Sequence, residues 1–219
     1  MKSRVEIKQI AKENMTRMRG IAIGLMLLPI AVGVVAGILA LIPILGVVIS
    51  IAIGLFTMLL TVAIVGGYSA IYRGDSVDIG GVVNSCQVNP LRKIGGLLWM
   101  GLFVWLWSML FCIPGLIKAI SYSMTPYILA EHPNVTAKDA LKISMRMTNG
   151  HKADLFVAEL SFFGWMMLSS LTLHILGIVF VFPYLLTTMA GYFNELRSEA
   201  LANGVITAEE LGMKGPYDN

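Results

Sequence analysis

Charged residues vanish from the chain between Gly20 and Tyr72, a run without Asp, Glu, Lys, Arg or His. A membrane-crossing helix needs about 20 apolar residues, so this run is long enough for two spans. Pro43 and Gly46 mark the turn between them, because proline removes a backbone donor and glycine relaxes turn geometry. The spans expected here are 20–41 and 45–72. A polar stretch from Arg73 to Lys93 follows, with Gly80-Gly81 and Asn89-Pro90 as breakers. Ile94 to Ala130 is again apolar apart from Lys118. As one helix it would reach about 55 Å, against a hydrocarbon core of about 30 Å. Pro114-Gly115 is therefore expected to divide it into spans 94–113 and 115–131, with a single kinked helix as the alternative. Spans 154–174 and 177–196, turning near His174–Gly177, complete the pattern.

The polar segments have patterns of their own. Ile7, Ile10, Ala11, Met15 and Met18 fall at helical spacing, with Lys8, Lys12 and Arg19 among them, so residues 1–19 read as a basic interfacial helix. The basic part is too long, and the apolar stretch behind it too extended, for a cleavable signal. Thr136 to Asp139 fits a capping box, and Gly150 suits the C-terminal end of a helix over 136–149. Lys138, Lys142 and Arg146 lie at i, i+4 and i+8, a basic stripe suited to a helix lying on the membrane surface. Residues 197–219 read as a cytoplasmic tail, partly disordered at its end. A polar segment followed by a two-span hairpin occurs three times, with no residue-level match between copies.

Composition supports lipid as the solvent. Hydrophobic residues make up 57% and charged residues 13%; soluble domains run at about 45–50% and about 25%. The net charge of +3 matters less than its distribution. The N-terminal segment carries six Lys/Arg, the 73–93 loop three and the 131–154 segment four, whereas only Lys118 lies near the opposite loops. The positive-inside rule then places both termini in the cytoplasm. The fold expected is all-α: a polytopic bundle of about six spans as three hairpins, with amphipathic cytoplasmic helices. Cys86 and Cys112 are too few for a disulfide scaffold and read as free thiols.

The second half carries a recognisable order of residues. Pro114-Gly115, Tyr122-Ser123-Met124, Pro126-Tyr127 and Ala130-Glu131 are followed by Ser144, Met147 and Gly150. Leu160-Ser161-Phe162, Gly164-Trp165, Leu171-Thr172, Pro183-Tyr184 and Tyr192 come next. This order resembles the bacterial membrane proteins grouped as domain-of-unknown-function family 975. The resemblance implies a multispan protein of the bacterial plasma membrane and carries over no activity and no catalytic residue. His174 stands where the resemblance implies a glycine-rich turn.

Glu159 is the most informative single residue. It lies five residues beyond Asp154 on an apolar helix, about 7–8 Å into the membrane. Ionisable groups there are costly and usually face a bundle interior or a wet cavity. It reads either as a proton- or cation-sensitive site or as a carboxyl hydrogen-bonded between helices. Lys118, Ser121, Tyr122 and Thr125 fall on one helix stripe, with Thr125 level with Glu159 and Lys118 too deep to reach it. Glu159 is thus expected to meet the hydroxyl of Tyr122 or Thr125. Glu131, His132, His151 and Asp154 are metal-ligand types without a compact motif, so no metal is expected, with His132, His151 and Asp154 as weak candidates. Gly20-xxx-Gly24 and Gly33-xxx-Gly37 suit helix packing within the chain or in a homo-oligomer. The four tryptophans read as anchors, and Met145 with Met147 as a partner contact or a lipid-facing side.

No HExxH, GxSxG, phosphate-binding glycine loop or CxxC is present, so neither an enzyme nor a cofactor is expected. The basic clusters suit anionic lipid headgroups on the cytoplasmic side and are too short for nucleic acid. The first function expected is a non-enzymatic membrane module binding a protein, peptide or lipid. The second is a small transporter or permease using Glu159, and the last a lipid enzyme using His132, His151 and Asp154.

Overall fold

The computed structural model describes residues 2–40, 45–110 and 112–213, and every regular element among them is helical. In chain order these are α1 (Arg4–Arg17), α2 (Arg19–Leu39), α3 (Leu45–Arg73), α4 (Ile79–Ser85), α5 (Pro90–Leu110) and α6 (Cys112–Tyr122). Then come α7 (Thr125–Glu131), α8 (Ala137–Met147), α9 (Lys152–Leu160), α10 (Phe163–Leu171), a π-helical turn (Gly177–Val181) and α11 (Phe182–Ala202). Among the described residues four helical stretches are long and apolar enough to cross a membrane: Arg19–Leu39, Gly46–Arg73, Lys152–Leu171 and Gly177–Ala202. That is compatible with a membrane protein.

The α2–α3 turn is tight at its described edge: a Cβ on Gly46 would lie 2.9 Å from the Ala40 carbonyl oxygen. Pro43, the other residue expected to make this turn, lies outside the described residues, as does the end of the tail from 214 onward. The long apolar run from 94 is not one helix. Gly115 packs so closely on Ser108 that a Cβ would sit 2.8 Å from the Ser108 Cα. Further along, Lys118 Nζ lies 5.2 Å from the Trp107 ring and Tyr122 lies 6.4 Å from Phe103. Residue numbers falling on α5 as they rise on α6 describe an antiparallel pair. Pro114 and Gly115 lie within the first turn of α6, where proline is tolerated because its missing N–H has no helical acceptor.

Two expected spans are interrupted. The fourth is split at Ser123-Met124 into α6 and α7, where Pro126 in the first turn of α7 cannot donate to the preceding turn. The Ser121 carbonyl, at the interrupted end of α6, accepts from Ser144 Oγ at 2.8 Å and Thr148 Oγ1 at 3.3 Å. The fifth breaks at Ser161-Phe162, where the Ser161 hydroxyl donates back to the Ala158 carbonyl.

The polar segments also differ from expectation in what they cover. α1 starts on a Ser3 cap, as its sequence suits, but Ile7, Ala11 and Met15 are buried against α11 and α3, not turned outward. A Cβ on Gly191 of α11 would meet Ile7 at 2.7 Å, so the glycine admits the α1 side chain. α8 begins on the expected Thr136 cap and Gly150 follows it with φ +89°, yet Ala140, Leu141, Ile143, Ser144 and Met147 pack into the bundle. The pairing of Met145 and Met147 as one outward surface therefore fails: Met147 is buried, and Met145 Sδ lies 3.9 Å from Lys118 Nζ. The tail is no separate segment up to residue 213. α11 runs on to Ala202, and Ile206 and Leu211 are buried with Arg146 held by Glu210 at 2.8 Å.

Candidate functional site

The bases counted above mostly hold structure together. Arg73 and Arg197 both donate to the Glu131 carboxylate, one to each oxygen, and Ser69 donates to it as well. Asn194 Oδ1 accepts from Arg197 at 2.9 Å, so the cluster joins the ends of α3 and α7 to α11. Arg92 caps α7: its guanidinium donates to the carbonyls of Leu129, His132 and Val135, where a helix C-terminus favours positive charge. Lys93 is buried and donates to the Ser85 carbonyl at 2.6 Å. Beside the cluster, small residues of α3, chiefly Ala63, Gly66, Gly67 and Ala70, wall a cavity of about 470 Å³ that Arg73, Asp78 and Glu131 border.

The expected hydroxyl stripe and Glu159 lie on different walls. Ser121 is buried and donates to Ile117 O at 2.7 Å. Tyr122 is buried against Phe103, and the hydroxyl of buried Thr125 has no hydrogen-bond partner among the described residues. Lys118 is held between Trp107, Tyr122 and Met145. No hydrogen bond among the described residues joins Glu159 to Tyr122 or Thr125, because that stripe turns toward α5 and α8. Glu159 instead lines a cavity of about 390 Å³ with Ser123, Pro126 and Tyr127 on one side and Val65, Met166, Leu185, Leu186 and Met189 around it. Tyr127 stacks on Phe193 at 5.3 Å and its hydroxyl donates to the Leu186 carbonyl at 3.4 Å, which fixes that wall.

Most of this wall falls in one recognised segment. Residues 97–200 match the family described as "Protein of unknown function (DUF975)". Over this segment the chain is similar to the DUF975 family. No curated protein and no solved structure matches the chain. The DUF975 segment contains every lining residue of the Glu159 cavity except Val65. It also contains the turn where the family resemblance implied glycine; Leu173 and His174 there take φ of +49° and +64°, the region that favours glycine.

The remaining candidates are dispersed. Among the described residues no three His, Cys, Asp or Glu side chains gather as a metal site. His151 Nε2 lies 3.3 Å from Glu199, and Asp154 is exposed. His132 is buried with no partner on Nε2; burial, with the Arg197 charge nearby, holds its imidazole below the ordinary value. Of the surface bases, Lys12, Arg19 and Lys138 are exposed, and Lys142 pairs with Asp139 at 3.3 Å. Lys8 is not free for a headgroup: it donates to Ser161 Oγ at 2.5 Å and lies 4.7 Å from the Phe162 ring. Gly24 receives Ile79, as packing within the chain requires, whereas Gly33 and Gly37 face open space. Cys86 is a free buried thiol; the Cys112 side chain lies outside the description. The network on Glu131 was not foreseen, although an acid at the end of one apolar segment and arginines at the ends of two others are visible in the sequence.

Proposed function

We propose that this protein is a small, non-enzymatic permease of the bacterial plasma membrane whose binding site is the Glu159 cavity. The observation that carries the reading is one carboxyl opening into a cavity of about 390 Å³ where two walls break, at Ser123-Met124 and just past Glu159 at Ser161-Phe162. Interrupted helices at a charged, membrane-depth cavity are characteristic of transport sites. The π turn ends four residues before Leu185, a third irregularity close to the same wall. Reconstituted in liposomes, the wild type is expected to pass protons or a cation, and Glu159→Gln to lose that flux at least about tenfold, the equivalent of about 1.4 kcal/mol. Equal flux in both would remove Glu159 from the mechanism.

The placement that goes with this reading has six crossings, with α5 and the broken α6–α7 as the third and fourth. Both termini and the 74–89 and 132–151 segments then lie in the cytoplasm, with Lys12, Arg19 and Lys138 facing anionic headgroups. Support comes from the antiparallel α5–α6 pair and from the basic segments meeting at one end. A fluorescent-protein fusion after residue 213 is expected to glow, and an alkaline phosphatase fusion at residue 174 to be active; the reverse pattern would invert the topology. A partner-binding module is the second reading, favoured by the outer face of α5, where Leu98, Leu102, Trp105 and Met109 are all exposed. One stoichiometric partner captured by a photo-crosslinker at Trp105 would move the function there.

A further inference from the structure

We infer that the ligand of the Glu159 cavity is a monovalent ammonium ion carried on an apolar body, entering from the lipid side. This rests on the permease reading of the same cavity. Among the described residues lining it, Glu159 is the one charged side chain. The nearest cation on the expected stripe, Lys118, faces Trp107 and Met145 instead. A lone carboxylate in an apolar wall is unfavourable unless it is protonated or meets a positive charge, and one ammonium supplies that charge.

The rest of the wall suits the body attached to it. Val65, Leu185 and Leu186 offer hydrocarbon, Met166 and Met189 polarisable thioethers, and Tyr127 an aromatic ring. Aromatic and thioether groups favour cations and soft apolar groups over hydrated anions. The volume, about 390 Å³, falls in the range of small-molecule sites, about 300–1,000 Å³. Tyr127 stands four residues from Glu131, and Val65 eight from Arg73. The cavity thus lies about 6–12 Å below the charged helix ends. An amphiphilic amine in a bilayer places its charge near that depth and its tail deeper. Met166 is more than a third exposed, so the cavity has an opening on the outer surface of the bundle.

The same inventory argues against other ligands. A divalent metal wants several oxygen ligands, and a single carboxylate with the Ser123 hydroxyl falls short. A phospholipid would bring a phosphate to a wall without lysine or arginine. A sugar would find few donors, since the Tyr127 hydroxyl is directed to Leu186.

The test is equilibrium binding of radiolabelled hexyltrimethylammonium, a permanent cation, to the full chain in nanodiscs, with empty nanodiscs as background. Saturable binding is expected, displaced by hexylammonium but not by hexanol or hexanoate, and weakened at least about tenfold in Glu159→Gln. Met189→Trp, which fills the cavity and leaves Glu159 in place, is expected to abolish it; Glu159→Asp is expected to retain it in part. Unchanged affinity in Glu159→Gln, or displacement by hexanol as effective as by hexylammonium, would overturn the inference. Should Glu159→Gln fail to fold, full binding by Met189→Trp would overturn it equally. Binding with no flux would sink the permease reading and keep the ligand class. Flux dependent on Glu159 with no ammonium binding would do the reverse.

Discussion

The polar end of the bundle and its apolar flank satisfy the same kind of side chain in different ways. At the polar end Ile7, Leu129, Ile143, Phe193 and Leu196 are at most 1% exposed, covered by other parts of the chain. On the flank Ile51, Leu102, Trp105 and Met109 are each more than half exposed. Charged groups divide likewise, with Glu131, Arg73, Arg92 and Arg197 all paired at the polar end. The polar end is built as a protein core, held by burial and specific pairing, and it fixes which helix sits beside which. The flank is built for an apolar surrounding and specifies the medium more than the neighbours.

The sharpest way to break this contrast is to remove the carboxylate that joins three helices. Glu131→Ala leaves Arg73 and Arg197 facing each other and is expected to cost about 3–5 kcal/mol in unfolding from detergent micelles. A loss below about 1 kcal/mol would mean that the cluster behaves as a set of exposed ion pairs. A matched pair of truncations tests the two surroundings directly. Ile7→Ala is expected to cost on the order of 3 kcal/mol, and Ile51→Ala no more than about 0.5 kcal/mol; equal costs would erase the distinction. The smallest effect is expected at the far tip of the flank, where His174→Gly relieves a left-handed backbone. It should raise stability by about 0.5–1 kcal/mol, the relieved strain less the added freedom of glycine in the unfolded chain. A lower melting temperature would show that the imidazole itself holds the turn.

The contrast also explains what the sequence made legible. Helical class, the Thr136 cap and the family match over 97–200 follow from local patterns and are present, as are four of the long apolar stretches. The amphipathic stripes of α1 and α8 were visible too, but periodicity reports only that a face is apolar. It does not report whether lipid or Phe193 and Leu129 will cover that face. Counting Arg73, Arg92 and Lys93 gave a sign for one side and no hint that a glutamate, a helix end and the Ser85 carbonyl would take them up. The break before α7 had a signal in Pro126, whereas the break at Ser161 had only a serine hydroxyl competing for a carbonyl. Glu159 was found because a charge in an apolar run is conspicuous. Its neighbours were missed because those breaks rotate the stripe of α6 away from it.

Lys2 pairs with Glu195 at 2.9 Å, and Ile7 sits over Gly191, so α1 docks on α11, a helix made long after it. During synthesis, α3 can cover only part of the apolar face of α1, and the rest has no cover until α11 has emerged. Its amphipathic character then has a temporary use: the helix can rest on the membrane surface while the intervening segments are inserted. The cover over α1 is thus completed only by α11, and a chain stopped before α11 would leave part of that apolar face bare.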